Sequence, residues 1–555
     1  MEAQVAAHFH FHSQPHRLPH ASRINLFPRT HINFQFSPSP EKAKFGRGTP
    51  FRKNKFLSFW PVHMAATEAA QSQPVTKAQG SFGKAVVVGG GPAGCVMALY
   101  LLRRGFHVHV FERRSMIDEA RLRGDPRSFP ILLTRRGIKV IEAAGLELPS
   151  SILKPQVGNC SHLPKGKKMK MDYYSGPGTQ SYVASRNGLV AFLQQSLLQR
   201  VSENLTLYFG WELSSIDDKK STAKFFCNQK YSSDSGTNDR GKVHLDEIEV
   251  EFDFLVGADG VSSKVRSEIL RLDQAYGASD KSHITLDFME NPRSYKSFYV
   301  CPSLARESAF IVDHDRVQAW RNLNLLLVNV ADGSFWGGTL NEELVSAPSP
   351  TDITRIFREK APDVLDLLLR ENQNFAEDLW KQAPMRGGGA VLLSQFHHRN
   401  IVVIGDAAHG MFPTYGTGCN AALEDCLIMD NILEELTPSD GRQKIPYHLA
   451  TAEFTKRRIL DAHAIVEMNS NFLLFPRNKL GIIQSVLLRA LHKWFPKIFG
   501  PTAHQLLWTD TPYSKIRTKK HKEDIFVYSI IVVLGLLIVL GGVSILKKLI
   551  AAKSI

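Results

Sequence analysis

The chain has 555 residues, of which 43% are hydrophobic, and a formal net charge of +15. This length exceeds one ordinary domain. The positive charge resembles a nucleic-acid signal, but much of it lies outside the expected folded core, so no nucleic-acid partner is predicted. The six cysteines show no C-x-x-C spacing and no neighbouring histidine pattern, which excludes a zinc-ligand motif and makes a disulfide scaffold implausible.

The first 64 residues form a basic segment in which only Glu2 and Glu41 are acidic. The segment is rich in His, Ser, Pro and Phe and lacks the continuous apolar run of a secretory signal. This composition is typical of an organelle transit peptide. The scattered Pro and Phe, without a long amphipathic helix, favour a plastid over a mitochondrion, and a merely disordered N-terminus is the alternative. Residues 65–83 are then expected to be a linker.

A strand, a glycine-rich turn and a helix are predicted next. Residues 84–88 are an apolar run, as expected for a strand buried on both faces. Gly89 allows a tight turn, Gly91 lets the backbone approach a pyrophosphate, and Gly94 lets the helix pack against the strand. A second predicted strand ends at Glu112, where a carboxylate bonds the adenosine ribose. The pattern predicts a dinucleotide site, and the alternative is a glycine-rich turn that binds nothing.

Two later segments repeat the pattern of a buried strand followed by a turn. The run 252–256 ends in a Gly-Ala-Asp-Gly turn that contains Asp259, and the run 401–404 ends in a Gly-Asp-Ala-Ala-His turn that contains Asp406. A Gly-Thr-Gly turn then opens an apolar helix at 421–433. In this order and at these separations, the three motifs resemble the single-component flavin aromatic hydroxylases. The resemblance implies that the dinucleotide is FAD.

The same resemblance assigns roles to these turns. The turn with Asp259 would close over the pyrophosphate, and Asp406 would bond the ribityl chain of the flavin. The N-terminal amides of the 421–433 helix can face the isoalloxazine, where a positive potential favours a reduced, anionic flavin. His409 and Asp425 are predicted to be structural, with His409 bonded to local backbone.

Six segments are similar to kynurenine 3-monooxygenase, and this similarity spans roughly residues 84–515. The segments are 127–132, 182–186, 295–298, 319–321, 405–425 and 457–471. The resemblance implies FAD contacts by Arg186, Asp406, Gly418, Cys419 and Asn420. Arg113, beside Glu112, is expected to help at the adenosine end.

The substrate pocket departs from that family, whose members clamp an amino acid with one Arg, two Tyr and one Asn. The resemblance keeps Tyr173 and, with a one-residue deletion, Asn471 as substrate residues. Asn159 falls at the arginine position and Ala503 at the second tyrosine. Asparagine cannot form a bidentate charge-assisted pair with a carboxylate, so the loss should cost about 1.5–3 kcal/mol, or roughly ten- to a hundredfold in affinity. The substrate is therefore left open.

The resemblance also implies the reaction. NADPH or NADH reduces FAD, O2 adds to form a C4a-hydroperoxide, and its distal oxygen is transferred to an aromatic substrate. No side chain is assigned as a general acid or base, and no second glycine-rich nucleotide motif follows a strand. Two alternatives stay open. One is a flavin epoxidase or reductase of an isoprenoid or lipid, and the other is a non-catalytic, membrane-anchored flavin-binding accessory protein.

The predicted fold is α/β, with a Rossmann-like FAD-binding domain and an inserted, mainly β substrate domain, as in p-hydroxybenzoate hydroxylase. C-terminal helices and a transmembrane tail follow. Residues 84–440 are predicted to hold a discontinuous FAD-binding domain, made of 84–186, 246–275 and 385–440. The substrate domain is predicted to be made of 187–245 and 276–384. The helical region is predicted at 441–524.

The tail at 525–546 is an apolar run long enough to cross a hydrocarbon layer of about 30 Å. Lysines flank both ends of this run, which leaves its orientation in the membrane open. The denser cluster at its N-terminal end favours a catalytic domain on the same side of the membrane as that cluster. The sequence thus predicts a tail-anchored enzyme of an organelle membrane.

Overall fold

The computed structural model describes most of the chain beyond residue 81. The described residues are 82–117, 129–163, 166–172, 180–227, 246–276, 283–303, 314–438, 445–471, 473–474 and 479–553. All of them belong to one compact unit, Lys77–Ile555. The predicted transit peptide at 1–64, nearly all of the 65–83 linker, and Tyr173 lie outside the described residues.

The described residues contain strands that are numbered here in chain order. They are β1 Lys84–Val88, β2 His107–Glu112, β3 Pro130–Leu133, β4 Lys154–Gln156, β5 Gly158–His162, β6 Lys168–Asp172, β7 Ser181–Ser185, β8 Leu205–Phe209, β9 Trp211–Asp217, β10 Thr222–Cys227, β11 Glu247–Glu251, β12 Phe254–Gly257, β13 Leu286–Glu290, β14 Ser294–Val300, β15 Arg316–Trp320, β16 Leu325–Asn329, β17 Phe335–Thr339, β18 Met385–Arg386, β19 Gly389–Leu393, β20 His397–His398 and β21 Ile401–Val403.

The helices are numbered in the same way. They are α1 Pro92–Arg103, α2 Arg135–Ala143, α3 Arg186–Leu198, α4 Lys264–Tyr276, α5 Glu342–Val345, α6 Pro350–Lys360, α7 Pro362–Glu371, α8 Phe375–Lys381, α9 Asp406–His409, α10 Gly418–Glu435, α11 Tyr447–Ser470, α12 Lys479–Trp494, α13 Ala503–Leu506 and α14 Tyr513–Lys553.

A six-stranded sheet in the order β20-β21-β12-β1-β2-β8 carries the predicted nucleotide motifs. Its pairs are parallel except for β20 with β21. Strands β1, β12 and β21 are almost wholly buried, which explains why their sequences are continuous apolar runs rather than alternating ones. The Gly-rich turn, the turn with Asp259 and the turn with Asp406 therefore all lie at the carboxyl edge of adjacent parallel strands. This edge is where ligands bind in open α/β sheets.

A seven-stranded sheet in the order β18-β14-β17-β16-β15-β5-β6 forms the second large layer. One face packs against α5 to α8 through a core that contains Leu325, Phe335 and Phe357. The opposite face contributes Val328 to a smaller cluster that includes Val183 of the β3-β7-β4 sheet. This layer thus combines a seven-stranded sheet with helices on one face.

The predicted domain boundaries differ from the observed sheets in two places. The segment 187–245 was expected in the substrate domain, but β8 pairs with β2, and Leu213 and Phe225 from the next strands join the core of the six-stranded sheet. Conversely, β5 and β6 fall within 84–186 yet belong to the seven-stranded sheet. Local periodicity predicts that a strand exists, whereas its partner is decided by tertiary packing.

The C-terminal region is helical, as predicted. Helix α14 packs against both α11 and α13, and a buried cluster in this region includes Ala503 and Tyr513. Within α14, the stretch Tyr513–Val543 is long and apolar enough to cross a membrane by length and composition, with a hydropathy of 2.8. Among the described residues it is the one helix with this property.

Candidate functional site

The glycines of the turn after β1 have two different roles. Two of them are needed for close packing, and one faces open space. Gly89 has a φ of 110°, and a Cβ on it would overlap the carbonyl group of Ala258. A Cβ on Gly94 would overlap the carbonyl oxygen of Gly89. In contrast, a Cβ on Gly91 would meet nothing within 4 Å. Gly91 is also the N-cap of α1 and provides no side-chain cap, so the first amides of this helix are available to an anion.

Glu112 lies beside this turn, as the spacing predicts. Its Oε2 accepts a hydrogen bond from the amide of Gly90 at 2.7 Å, and its Oε1 accepts one from the amide of Arg114 at 3.0 Å. These bonds hold the carboxylate at the end of β2. The side chain of Arg113 is exposed next to it.

Asp259 has a visible structural role in addition to its predicted one. Its Oδ2 accepts hydrogen bonds from the amides of Lys264 at 2.6 Å and Val265 at 3.1 Å, which caps the start of α4. Its Oδ1 is buried with no hydrogen-bond partner in the part of the chain that the structure describes, and burial raises the pKa of this carboxyl group. One oxygen therefore remains to meet a ligand beside the glycine turn.

Asp406 follows β21 and begins the short helix α9. Its Oδ1 lies 4.0 Å from the position that a Cβ on Gly418 would occupy, so the carboxylate faces the N-terminus of α10. Burial raises the pKa of Asp406, while His409 and Arg186 act in the opposite direction. The side chain is nevertheless accessible to solvent. A group that is densely surrounded by protein and still accessible lines a cleft.

The N-terminus of α10 brings Gly418, Cys419 and Asn420 to this cleft. Burial and the charge of Asp406 raise the pKa of the Cys419 thiol to about 12, so it is neutral at physiological pH. The side chain of Asn420 is already engaged, because its Oδ1 accepts from the Thr134 amide at 2.9 Å and its Nδ2 donates to the Leu132 carbonyl at 2.7 Å. Only the backbone of Asn420 is therefore placed for the predicted cofactor contact.

Arg186 joins this group from α3, where it is the first residue. Its guanidinium carbon lies 5.8 Å from the centre of the Phe129 ring. Its charge opposes the rise in the pKa values of both Asp406 and Cys419, which places it within electrostatic range of each. The structure thus brings together Arg186, Asp406 and the start of α10.

The predicted substrate residues are less closely grouped. Asn159 lies on β5 and pairs with Val317 of β15, so both side chains project from one face of the seven-stranded sheet. Asn471 is the C-cap of α11, and Ala503 is fully buried among the C-terminal helices. Ala503 therefore replaces the expected tyrosine with a core residue.

Two polar atoms on the Asn159 face have no hydrogen-bond partner among the described residues. They are Oδ1 of Asn159 and Nε1 of Trp336, and both are buried. Val317 and Trp336 pack against the same small cluster as Leu132. A Cβ on Gly416 would lie 3.3 Å from the Cβ of Leu132, which places this sheet face beside the turn that precedes α10.

Sequence reasoning missed Asn469, which anchors that turn. Asn469 is fully buried on α11, its Oδ1 accepts from the Tyr415 amide at 3.2 Å, and its Nδ2 donates to Thr417 Oγ1 at 3.2 Å. The available signal was a polar residue on the apolar face formed by Ile465 and Met468. A buried amide in such a position must bond something.

A buried charge network was also missed. His409 was expected to bond local backbone, but its Nε2 lies 2.6 Å from Oδ2 of Asp425. The other oxygen of Asp425 accepts from Nε of Arg458 at 2.6 Å, and Arg458 also bonds Glu424 at 2.7 Å. Glu424 pairs in turn with the buried Arg136. Burial opposes ionisation of Asp425, but His409 and Arg458 outweigh it and lower its pKa.

These features fit a dinucleotide with a flavin ring. The open side of Gly91 and the uncapped start of α1 suit a pyrophosphate, and Glu112 lies where a ribose would follow. The start of α10 also lacks a side-chain cap, so its amides and dipole offer a positive potential at the cleft. The residues present would therefore hold FAD.

Comparison with known proteins agrees with this geometry. The model of the FAD binding domain family matches residues 83–322 and 355–445. Kynurenine 3-monooxygenase of Chaetomium globosum is 28% identical over 475 residues, which cover 79% of this chain and 94% of that protein.

Two solved structures share the fold. A variant of 2-methyl-3-hydroxypyridine-5-carboxylic acid oxygenase has a TM-score of 0.52 at 18% identity, covering 76% of this chain and 95% of its own. A variant of HpxO from Klebsiella pneumoniae complexed with FAD has a TM-score of 0.50 at 17% identity, covering 76% and 96%.

The chain belongs to the FAD binding domain family, and it is a FAD-dependent monooxygenase. Within that class it is a kynurenine 3-monooxygenase-like aromatic hydroxylase. The predicted family and cofactor are thus confirmed, whereas the roles of the individual site residues stay predictions.

Proposed function

We propose that this monooxygenase uses NADPH or NADH and O2 to hydroxylate a small aromatic molecule that is recognised by uncharged polar groups. The observation that carries the proposal is the pair of unpartnered polar atoms, Asn159 Oδ1 and Trp336 Nε1, on the sheet face beside the Gly416 turn. The family resemblance supports the nicotinamide co-substrate.

The proposed roles of the site residues follow from their positions. The open turn at Gly91 and the start of α1 would bind the pyrophosphate, Glu112 the ribose, and Asp406 with Arg186 the flavin side of the cleft. Bound FAD would supply the activation of O2 and the transfer of one oxygen atom to the substrate. The amides at the start of α10 would stabilise negative charge on the ring by their dipole. No described side chain needs to act as a general acid or base.

The substrate class follows from what the sheet face offers. A buried amide oxygen accepts a hydrogen bond and an indole N–H donates one, so together they suit a neutral phenol, amine or carbonyl. Leaving either atom unpaired costs about 1–3 kcal/mol, which a matching neutral substrate would recover. A carboxylate would lack the bidentate arginine partner that its desolvation requires. The pocket therefore favours an uncharged aromatic over an amino acid such as kynurenine.

A pair of related ligands tests this proposal. Kynurenine and 2′-aminoacetophenone share the aminophenyl ketone, but only kynurenine carries the charged amino-acid group. In stopped-flow measurements with NADPH, we expect the neutral ketone to accelerate flavin reduction in the wild-type protein and kynurenine to have little effect. Asn159→Arg should reverse this preference by roughly ten- to a hundredfold, as expected for a charge-assisted pair.

The flavin content of both proteins is the control for folding. A wild-type protein that responds to kynurenine as strongly as to the neutral ketone would contradict the proposed recognition. If neither ligand accelerated reduction in either protein, the hydroxylation of this ligand class would be rejected.

A lipophilic substrate is the second candidate, because α14 offers an apolar stretch that can cross a membrane. We propose that this helix anchors the enzyme to an organelle membrane, with a plastid favoured by the composition of residues 1–64. An epoxidase or reductase acting on an isoprenoid would then reach its substrate from the bilayer. Substrate-dependent NADPH oxidation with a lipid extract, and none with soluble aromatics, would favour this reading.

A further inference from the structure

Helix α12 and the turn that follows it leave large apolar side chains exposed. Along α12, Ile483, Val486 and Trp494 recur at helical spacing and lie on the surface, with Trp494 69% exposed. The turn adds Phe495 and Ile498, the latter 75% exposed. Scattered exposed apolar residues are ordinary, but a contiguous group of this kind marks an interaction surface. We refer to these five residues as the apolar face.

Contacts with α14 fix the level of this face along the proposed membrane helix. Gln484 donates to Asp524 at 2.5 Å, and the ring of Phe499 lies 5.7 Å from that of Phe526. The apolar run of α14 begins at residue 525. The apolar face therefore lies beside the first turn of the proposed span, at the depth where a bilayer interface would be.

A basic groove along the start of α14 adjoins the apolar face. The groove has a volume of about 410 Å³ and is lined by Ser514, Lys515, Thr518, Lys519 and Lys522. Lys519 and Lys522 also line a smaller cavity of about 170 Å³ together with Leu488, Ile498 and Phe526. The acidic group in this cavity is Glu523, which accepts from the Ala503 amide at 2.9 Å and lies 3.7 Å from Lys519.

We infer that α12 and its following turn form a second membrane-binding element that lies in the interface and engages anionic phospholipids. The lysines would meet the headgroup phosphates, and the adjoining apolar side chains would enter the acyl boundary. Amphipathic helices with Trp and Phe on one face and lysines nearby bind membranes in this way. The inference rests on the proposed anchor, which sets the depth of the apolar face in the bilayer, but it concerns different residues.

Fluorescence quenching in the full-length protein tests the inference. The protein is reconstituted in phosphatidylcholine vesicles with brominated acyl chains, with and without phosphatidylserine, and flotation reports anchoring separately. We expect tryptophan quenching that Trp494→Phe reduces at least about twofold, because Trp494 lies at the interface level where tryptophan inserts. Trp380→Phe is the matched control, since Trp380 is also exposed but lies on α8.

The basic groove is tested by Lys519→Gln combined with Lys522→Gln. Phosphatidylserine should increase Trp494 quenching in the wild-type protein, and the double variant should lose this increase. Each lysine that is removed should weaken the equilibrium constant for docking to the anionic membrane by about fivefold. Lys456→Gln, which is remote on α11, should leave the increase unchanged.

The outcomes separate this inference from the anchor. Flotation with Trp494 quenching supports both. Flotation without Trp494 quenching overturns the inference and leaves the anchor in place, and the apolar face would then belong to a protein partner. Failure to float overturns the anchor and the inference together.

Discussion

At the scale of single residues, the site depends on side chains that hold the turns in position as much as on those that would touch the cofactor. Asp425 accepts from the amide of Gly405 at 2.7 Å, directly before Asp406. Asn469 performs a similar task for the turn at Tyr415. The sequence motifs identified Asp406 because its spacing is characteristic, but no local pattern shows which distant carboxylate or amide supports it.

The buried network around Asp425 yields the first prediction. Asp425→Asn would remove the carboxylate that pairs with Nε of the buried Arg458 and accepts from the Gly405 amide, so the free energy of unfolding should fall by about 3–5 kcal/mol. Glu435→Gln is the matched control, because Glu435 pairs with the neighbouring Arg457 on the surface, where such pairs contribute about 0–1 kcal/mol. Urea denaturation of the full-length protein measures both. Equal losses for the two variants would show that the network is not a special contributor to stability.

At the scale of elements, the sequence predicted the parallel strands and their turns well, because strands buried on both faces have continuous apolar sequences. The sequence placed β8 in the substrate segment and β5 in the FAD-binding segment, whereas β8 pairs with β2 and β5 lies in the seven-stranded sheet, since short strands of similar composition can pair with either layer. The observed partners are set by register, such as Leu205 opposite Val108, which no local window contains. Residues of the site that come from turns were predictable, whereas the sheet pairing that places Asn159 beside Val317 was not.

The first helix provides a prediction in which two glycines should behave differently. Gly94→Ala would force α1 away from β1, because its methyl group would overlap the Gly89 carbonyl, so the protein should be destabilised and lack flavin. Gly91→Ala has room for its methyl group and should fold normally, but the methyl would stand where the pyrophosphate is expected. Thermal unfolding and the ratio of bound flavin to protein distinguish the two. A Gly91→Ala protein with full flavin content would contradict the placement of the pyrophosphate.

Strand β20 carries a pH prediction. Burial, with the charge of His398, lowers the pKa of His397 to about 4, and its Nδ1 lies 2.7 Å from Thr455 Oγ1. The unfolded state therefore binds a proton more readily, so stability should fall as the pH drops below the ordinary histidine value of about 6.5 towards 4. Allowing for partial exposure, His397 should account for about 1 kcal/mol between about pH 7 and pH 5.

Replacing the residue measures this contribution. His397→Gln should lose less stability than the wild-type protein over the same pH interval, as followed by urea denaturation. His448→Gln, at an exposed position on α11, should behave as the wild-type protein does. An unchanged pH dependence in His397→Gln would show that the histidine is not held neutral.

At the scale of the whole molecule, one edge of the six-stranded sheet, one face of the seven-stranded sheet and the start of α10 converge on the cleft. The six-stranded sheet provides the turns for the dinucleotide, and the seven-stranded sheet provides the face with Asn159 and Trp336. Helix α14 joins this body to the proposed membrane anchor through the cluster around Tyr513, whose ring lies 4.2 Å from the guanidinium of Arg136. The sequence predicted both the hydroxylase body and its apolar tail.

Labelled oxygen tests the central claim most directly. The purified full-length protein is supplied with NADPH, ¹⁸O₂ and 2′-aminoacetophenone, and the product is examined by mass spectrometry. A monooxygenase that acts on neutral aromatics should give a hydroxylated product with one ¹⁸O atom for each molecule of NADPH oxidised. NADPH oxidation that yields only hydrogen peroxide, or a product whose new oxygen comes from water, would contradict the account.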